Sequence, residues 1–168
     1  SSDLLNKEEL QNVMDKIPTD NDITLFTIGY EGISLEAYLL KLVRNNVKVL
    51  IDVRRNPLSM KFGFSKSSLQ KYCNVLDIEY IHYPEVGINS EERQELNTQA
   101  DYDALFDRYK KDTLPSTTLT QDKIFNLLVS KRRIALTCFE HNICQCHRKH
   151  LAEAIAQHKD FIYQLKHI

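Results

Sequence analysis

Apolar residues along this chain follow two alternating rhythms. Short, nearly continuous apolar runs at 24–29 (TLFTIG), 47–54 (VKVLIDVR), 78–83 (IEYIHY) and 133–139 (RIALTCF) predict strands buried on both faces. Between them apolar residues recur at helical spacing over 34–46, 65–76, 121–131 and 146–158. Ser34 is placed to cap the first of these helices, with Glu36 in its first turn. Gly29 closes the first strand, Asn56-Pro57 stops the second and Pro84 ends the third. Residues 161–168 predict a last strand and 101–113 a further helix, while Pro115 and the Ser/Thr run at 116–120 predict a loop.

Strands joined by helices predict an α/β fold: three layers, Rossmann-like, with a mostly parallel sheet covered by helices on both faces. A chain of 168 residues suits one such domain, assigned to 23–168. A helix at 7–17 (KEELQNVMDKI) falls outside the rhythm and makes 1–22 an N-terminal helical extension.

Composition narrows the partners. Twenty-two cations against 23 anions give a net charge of -1, which lacks the basic excess of a protein that coats duplex DNA but leaves room for a local basic patch. No apolar run reaches bilayer length and no signal-peptide pattern opens the chain, so no membrane partner is expected. Three of the four cysteines, Cys138, Cys144 and Cys146, are clustered and Cys73 is distant. That is not the framework of a small secreted domain, and the expectation is reduced thiols in a cytoplasmic protein.

In open α/β sheets ligands bind beyond the carboxyl ends of the strands. The residues there are Gly29-Tyr30-Glu31-Gly32, Asp52-Val53-Arg54-Arg55, His82-Tyr83-Pro84-Glu85 and Cys138-Phe139-Glu140, unusually rich in ionisable side chains. Asp52, in a buried strand, needs a cation, and Arg54 projects to the same side. The two are either an ion pair closing a strand or an oxyanion anchor built on a planar guanidinium. The glycine turn lacks Walker or dinucleotide spacing; it could present amides to a ligand or simply turn tightly under Tyr30. His82, on the same strand side as Tyr80, could help stack a base or belong to the core. Residues 87–115 could cover the site or be surface filler.

Residues 135–155 (ALTCFEHNICQCHRKHLAEAI) are the densest stretch. A helix beginning near Cys146 would favour a thiolate there and an anion beside Arg148, with Glu140 near enough for proton transfer. The C-x5-R loop of thiol phosphatases is absent. A zinc site from Cys138, Cys144, Cys146 and His147, with His141 and His150 in reserve, has the count but not a common spacing. Neighbours Cys146 and His147 are also expected to diverge at a helix start, so no metal is assigned and buried thiols are the plainer reading.

The motifs TIGYEG, IDVRRNP, EYIHYPEVG and TCFE…CHR, in this order, resemble the family known as DUF488, a domain of unknown function. The most specific match is C-x-E followed by C-H-R, here Cys138, Glu140, Cys146, His147 and Arg148, with D-V-R at Asp52, Val53 and Arg54 and the glycine turn at Gly29 and Tyr30. PEVG stands where PELG is usual, and Cys144 lies outside the pattern. The resemblance runs from about Thr24 to the C-terminus and implies a compact α/β domain with its motifs at one end of the sheet. It implies no established reaction.

Together these readings make an enzyme acting on a phosphorylated nucleotide or nucleic-acid substrate, by hydrolysis or group transfer, the leading expectation. Asp52, Glu140, Cys146 and His147 are the catalytic candidates; Gly29, Tyr30, Arg54, Arg148 and His82 are the substrate- and anion-binding candidates. The cofactor is unassigned and a homo-oligomer remains open. The alternatives are a non-catalytic nucleotide or nucleic-acid binding module and a metal-stabilised structural domain.

Overall fold

The computed structural model describes Lys7, Glu8, Gln11, residues 20–93 and residues 95–168. Most of the predicted 7–17 helix, and with it most of the 1–22 extension, lies outside the described residues.

Among the described residues five strands form one wholly parallel sheet in the order β3-β2-β4-β1-β5: β1 Thr24–Gly29, β2 Val49–Asp52, β3 Glu79–His82, β4 Arg133–Cys138 and β5 Gln164–His167. The three central strands are buried along their whole length, whereas the outer two are not. That is why the central ones read as continuous apolar runs. Helices α1 (Leu35–Arg44) and α2 (Lys66–Val75) pack on one face, where Tyr38, Leu42, Leu69 and Cys73 meet Phe26, Ile28 and Leu50. Helices α4 (Thr118–Lys131) and α5 (His147–Ala156) pack on the other, where Ile124, Leu128, Leu151 and Ile155 meet Leu25, Ile51, Ile134 and Leu136. Strict alternation along each strand sends its apolar side chains to both layers. Among the described residues no helix is long and apolar enough to cross a membrane.

The segment after β3 is more ordered than its sequence predicts. It contains α3 (Gln99–Arg108), whose start is held by a capping box between Thr98 and Asp101. A π-helical turn at Tyr109–Thr113 and a short helix at Leu114–Ser116 follow. The predicted loop at 115–120 is therefore corrected: Pro115 sits in a first helical turn, where its missing N–H costs nothing. The Ser116 and Thr117 hydroxyls donate back to the Thr113 carbonyl. Ile88, Leu105, Phe106 and Tyr109 give this segment a small core of its own, and the Tyr109 hydroxyl donates to the Val86 carbonyl at 2.7 Å.

The strand order creates the crevice. β4 lies between β2 and β1, yet its chain leaves toward α5 on one face while β1 and β2 leave toward α1 and α2 on the other. Such opposed exits open a gap at the carboxyl ends of neighbouring strands. The register levels those ends: Gly29 lies beside Cys138, and Asp52 between Thr137 and His82.

Candidate active site

The end of β2 is a closed polar network. Asp52 is fully buried and accepts from the Arg54 backbone N–H at 3.1 Å, from Arg54 Nε at 2.9 Å, from Nη2 at 2.7 Å and from the Tyr80 hydroxyl. Arg54 Nη1 donates to the Tyr30 hydroxyl at 3.0 Å and to the Phe64 carbonyl at 2.6 Å. Burial works against the Arg54 charge, but the hydrogen bonds and charge of Asp52 outweigh it and raise its pKa further. Burial, then the Asp52 charge, also raises the Tyr80 phenol well above its usual value. Tyr30 is stacked on Phe64 with ring centres 4.4 Å apart, and so belongs to the core on its apolar side.

Of the two readings of the glycine turn, the tight turn is the one the hydrogen bonds favour. The N–H groups of Tyr30 and Glu31 both donate to the Phe139 carbonyl, at 3.1 and 2.8 Å. The turn therefore ties β1 to the residue after β4. Gly29 is required for that approach, because a Cβ there would stand 2.0 Å from the Glu140 carbonyl oxygen. His82 donates from Nε2 to the Arg54 carbonyl at 2.7 Å, and it buttresses the β2 exit from the neighbouring strand.

The end of β4 is arranged differently. Cys138, the last residue of the strand, and Cys146, the N-cap of α5, are joined by a disulfide, correcting the expectation of free thiols. The short 139–145 connection brings strand end and helix start together, so in this form Cys146 is not a thiolate. Cys73 and Cys144 are free, the first buried and the second exposed. Burial and the charge of Asp52 push the Cys73 thiol up to about 12, leaving it inert.

His147 and Arg148, the first residues of α5, are buried. His147 Nε2 lies 2.9 Å from the Val53 carbonyl. A carbonyl only accepts, so Nε2 carries the proton and Nδ1 is a bare lone pair with no partner among the described residues. Burial, then the charge of Arg93, lowers the His147 pKa to about 3 and keeps the ring neutral. Among the described residues Arg148 has only neutral acceptors: its Nη1 donates to the Glu140 carbonyl and, at 3.2 Å, to Cys138 Sγ, its Nη2 reaches the His141 carbonyl at 3.5 Å, and its Nε has none. Burial lowers its pKa to about 10, with the Glu140 charge acting in the opposite direction.

Glu140 leaves β4 toward the segment after β3, where Arg93 meets it at 2.7 Å. Its other carboxylate oxygen lies 3.6 Å from Cys138 Sγ. Neighbours Cys146 and His147 do not diverge as expected. Cys146 has extended backbone angles as the N-cap, and one ligand atom each from Cys138, Cys146 and His147 falls within 4.8 Å of the others.

A cleft of about 300 Å³ opens at this end of the sheet, lined by Tyr30, Arg54, Arg55, Ser59, Arg93, Cys138, Phe139 and His147 among others. Of the residues singled out from sequence, Tyr30, Arg54, Cys138 and His147 line it; Gly29, His82, Glu140, Cys146 and Arg148 stand behind that lining, and Asp52 is sealed beneath. Arg55 was placed at this end of the sheet but given no role, and Arg93 was not anticipated. Arg55 alternates away from Arg54 along the chain, and Arg93 lies in a stretch with no periodicity to place it. The segment after β3 also packs Tyr109 edge-on to His147, with ring centres 5.5 Å apart, and so walls the site rather than filling surface.

The family model described as "Domain of unknown function DUF488" matches residues 34–155, well over half of the chain, and the protein belongs to that family. Neither a curated protein nor a solved structure matches the chain.

Proposed function

We propose that this cleft is the active site of an enzyme that hydrolyses, or transfers a group from, a small phosphorylated substrate of nucleotide or nucleic-acid type. The observation that carries this reading is His147: a buried imidazole whose tautomer is fixed by Val53 and whose second nitrogen is left unsatisfied at the wall of a cleft. Buried polar groups without partners are rare because each costs about 1–3 kcal/mol, and they are retained where a ligand or reaction completes them.

Roles follow from which groups are still available. Arg54 supports the wall with all three of its nitrogens engaged, and Arg148 stands behind it, held through Nη1 by the Glu140 carbonyl and Cys138 Sγ. Arg55, exposed at the rim, and Arg93 supply the charge that attracts a phosphate. Glu140 is the proton-transfer carboxylate, and His147 Nδ1 is the open lone pair that a bound group completes. Asp52 acts through Arg54 as a positioning residue, Gly29 and Tyr30 shape the turn, and His82 supports it from behind. Exposed Leu58, Met60 and Phe139 around the same opening offer apolar surface to a base or sugar.

A thermal-shift panel tests this reading with mononucleotides, sugar phosphates, short DNA and RNA, and inorganic phosphate. It is run on the unmodified protein and on an Arg55→Ala/Arg93→Ala variant. A ligand at a hundredfold excess over its Kd stabilises the fold by about 2.7 kcal/mol. One ligand class should stabilise the protein, lose that effect in the variant, and be turned over. Stabilisation that survives the double substitution, or none from any class, would sink the assignment. Binding without turnover, indifferent to Glu140→Gln, would make the protein a binding module instead.

A further inference from the structure

We propose that Cys138, Cys146 and His147 form a zinc site in the reduced protein, open toward the cleft, with Glu140 beside it as the non-ligating base, and that the disulfide is its metal-free, oxidised state. The inference deepens the active-site reading above by naming what activates water there. Three buried donors converge within 4.8 Å: two sulfurs and one imidazole. Thiolate and imidazole ligands together suit Zn²⁺ ahead of the hard, oxygen-seeking cations.

Four further features of the surroundings suit an ion. The Nε2–H of His147 donates to the Val53 carbonyl, the outer hydrogen bond that orients metal-binding histidines and leaves Nδ1 for the ion. Each sulfur also accepts an N–H: Cys138 from Arg148 Nη1 at 3.2 Å, and Cys146 from the Arg148 backbone at 3.5 Å. Such donors favour sulfur carrying negative charge. Arg148, which has no carboxylate in ion-pair contact among the described residues, is then explained as the counter-charge to the thiolates. Finally, Cys138 and His147 line the cleft, so three protein ligands leave a fourth position on the side where substrate arrives.

Three ligands and one open position are the pattern of catalytic rather than structural zinc, in which the ion lowers the pKa of bound water. Glu140 Oε2 already lies 3.6 Å from Cys138 Sγ, within one water of such an ion. Two sulfurs and an imidazole on zinc, with a glutamate that shuttles protons without binding the metal, is a division of labour used in hydrolysis of nucleobase amino groups. Conversion between the two states balances simply. A dithiol reductant gives two electrons and two protons to the bridge, becoming a disulfide itself and leaving two thiols. Zn²⁺ then displaces both thiol protons to form two Zn–S bonds and takes the Nδ1 lone pair.

The test uses the full chain, needs no substrate, and so fails separately from the phosphate reading. Protein reduced with a dithiol under anaerobic conditions is exchanged into buffer and titrated with Co²⁺ as a spectroscopic stand-in for Zn²⁺. About one Co²⁺ per chain should bind, with tetrahedral d–d bands and thiolate charge-transfer absorption, and Zn²⁺ should displace it. The oxidised protein should show neither band. Cys146→Ser should lose charge-transfer intensity, whereas Cys144→Ser and Glu140→Gln should keep the full spectrum. Should Cys146→Ser misfold, alkylation of the unmodified reduced protein replaces it: Zn²⁺ should protect Cys138 and Cys146 but not Cys144. Folded, reduced protein that binds no Co²⁺, thiols that Zn²⁺ does not protect, or a spectrum that depends on Cys144 would each overturn the proposal.

Discussion

Two buried arginines stand at the same end of this sheet in opposite circumstances. Arg54 is saturated: Asp52 takes two of its nitrogens, and Tyr30 and Phe64 take the third. Among the described residues Arg148 finds only carbonyls and a sulfur, keeps an orphaned Nε, and follows a histidine with an unused lone pair. Satisfied networks rigidify a fold, and half-satisfied ones cost stability until something completes them. The contrast separates the exit of β2, which holds shape, from the exit of β4, where we place the chemistry.

The largest effect should come from breaking the satisfied side. Asp52→Ala leaves the Arg54 cation buried without a counter-charge and should cost about 3–5 kcal/mol in urea unfolding. Arg148→Met removes a cation that has no carboxylate to strand and exposes only carbonyl acceptors, so about 1–3 kcal/mol is expected. Equal losses from both would erase the distinction between the two exits.

Next in size is the seam that joins them. Gly29→Ala places a methyl 2.0 Å from the Glu140 carbonyl and 3.0 Å from Arg148 Nη1, which forces the β4 exit away from β1. Overpacking of this kind costs about 1–3 kcal/mol. Gly32→Ala, with φ at +78° but nothing within 4 Å, meets only the backbone penalty and should cost about 1–2 kcal/mol. Unfolding midpoints for the two variants would rank them. Only Gly29→Ala should also disturb the environment of His147 and Arg148.

A third difference is in pH response. In the metal-free disulfide form, His147 has a folded pKa of about 3 against 6.5 in the unfolded chain. Below pH 6.5 the unfolded chain therefore binds a proton that the fold refuses. Stability contributed by the neutral ring is complete above pH 6.5 and falls as pH drops toward about 3, by up to about 1.4 kcal/mol per pH unit. Unfolding curves between these limits should show that slope, and His147→Gln should flatten it. An unchanged slope in the variant would assign the acid sensitivity to other groups.

Strand ends were the legible part of the site because the buried strands β1, β2 and β4 are written as apolar runs, and the residues that follow each run must lie at one edge. The Asp52–Arg54 pair could be read from its two-residue spacing; what could not be read is which distant groups complete the buried carboxylates. Asp52 is closed by Tyr80 from another strand, and Glu140 by Arg93 from a segment whose hydrophobic pattern has no regular period. Pairings across such distances depend on the crossing of β4 between β2 and β1, which local pattern does not encode. The cysteine pairing was missed for a related reason: strand end and helix cap are brought together by the turn at 139–145. The Ser/Thr run at 116–120 misled in the other direction, since hydroxyls that usually loosen a helix here bond back to Thr113.

The smallest effect on stability should accompany the largest effect on activity. Glu140→Gln preserves shape and removes only the charge that faces Arg93, a pair still partly open to solvent on the arginine side. Its cost should be about 0–1 kcal/mol, close to the resolution of an unfolding experiment. If Glu140 moves protons in the cleft, turnover of a true substrate should nevertheless fall by about 10²–10⁴-fold. Arg93→Ala makes the complementary change. It should weaken substrate binding and raise KM, while leaving the carboxylate in place and kcat less affected. A Glu140→Gln protein that is destabilised by several kcal/mol yet turns over normally would reverse the roles of the two exits, making β4 the strut and β2 the place to look for chemistry.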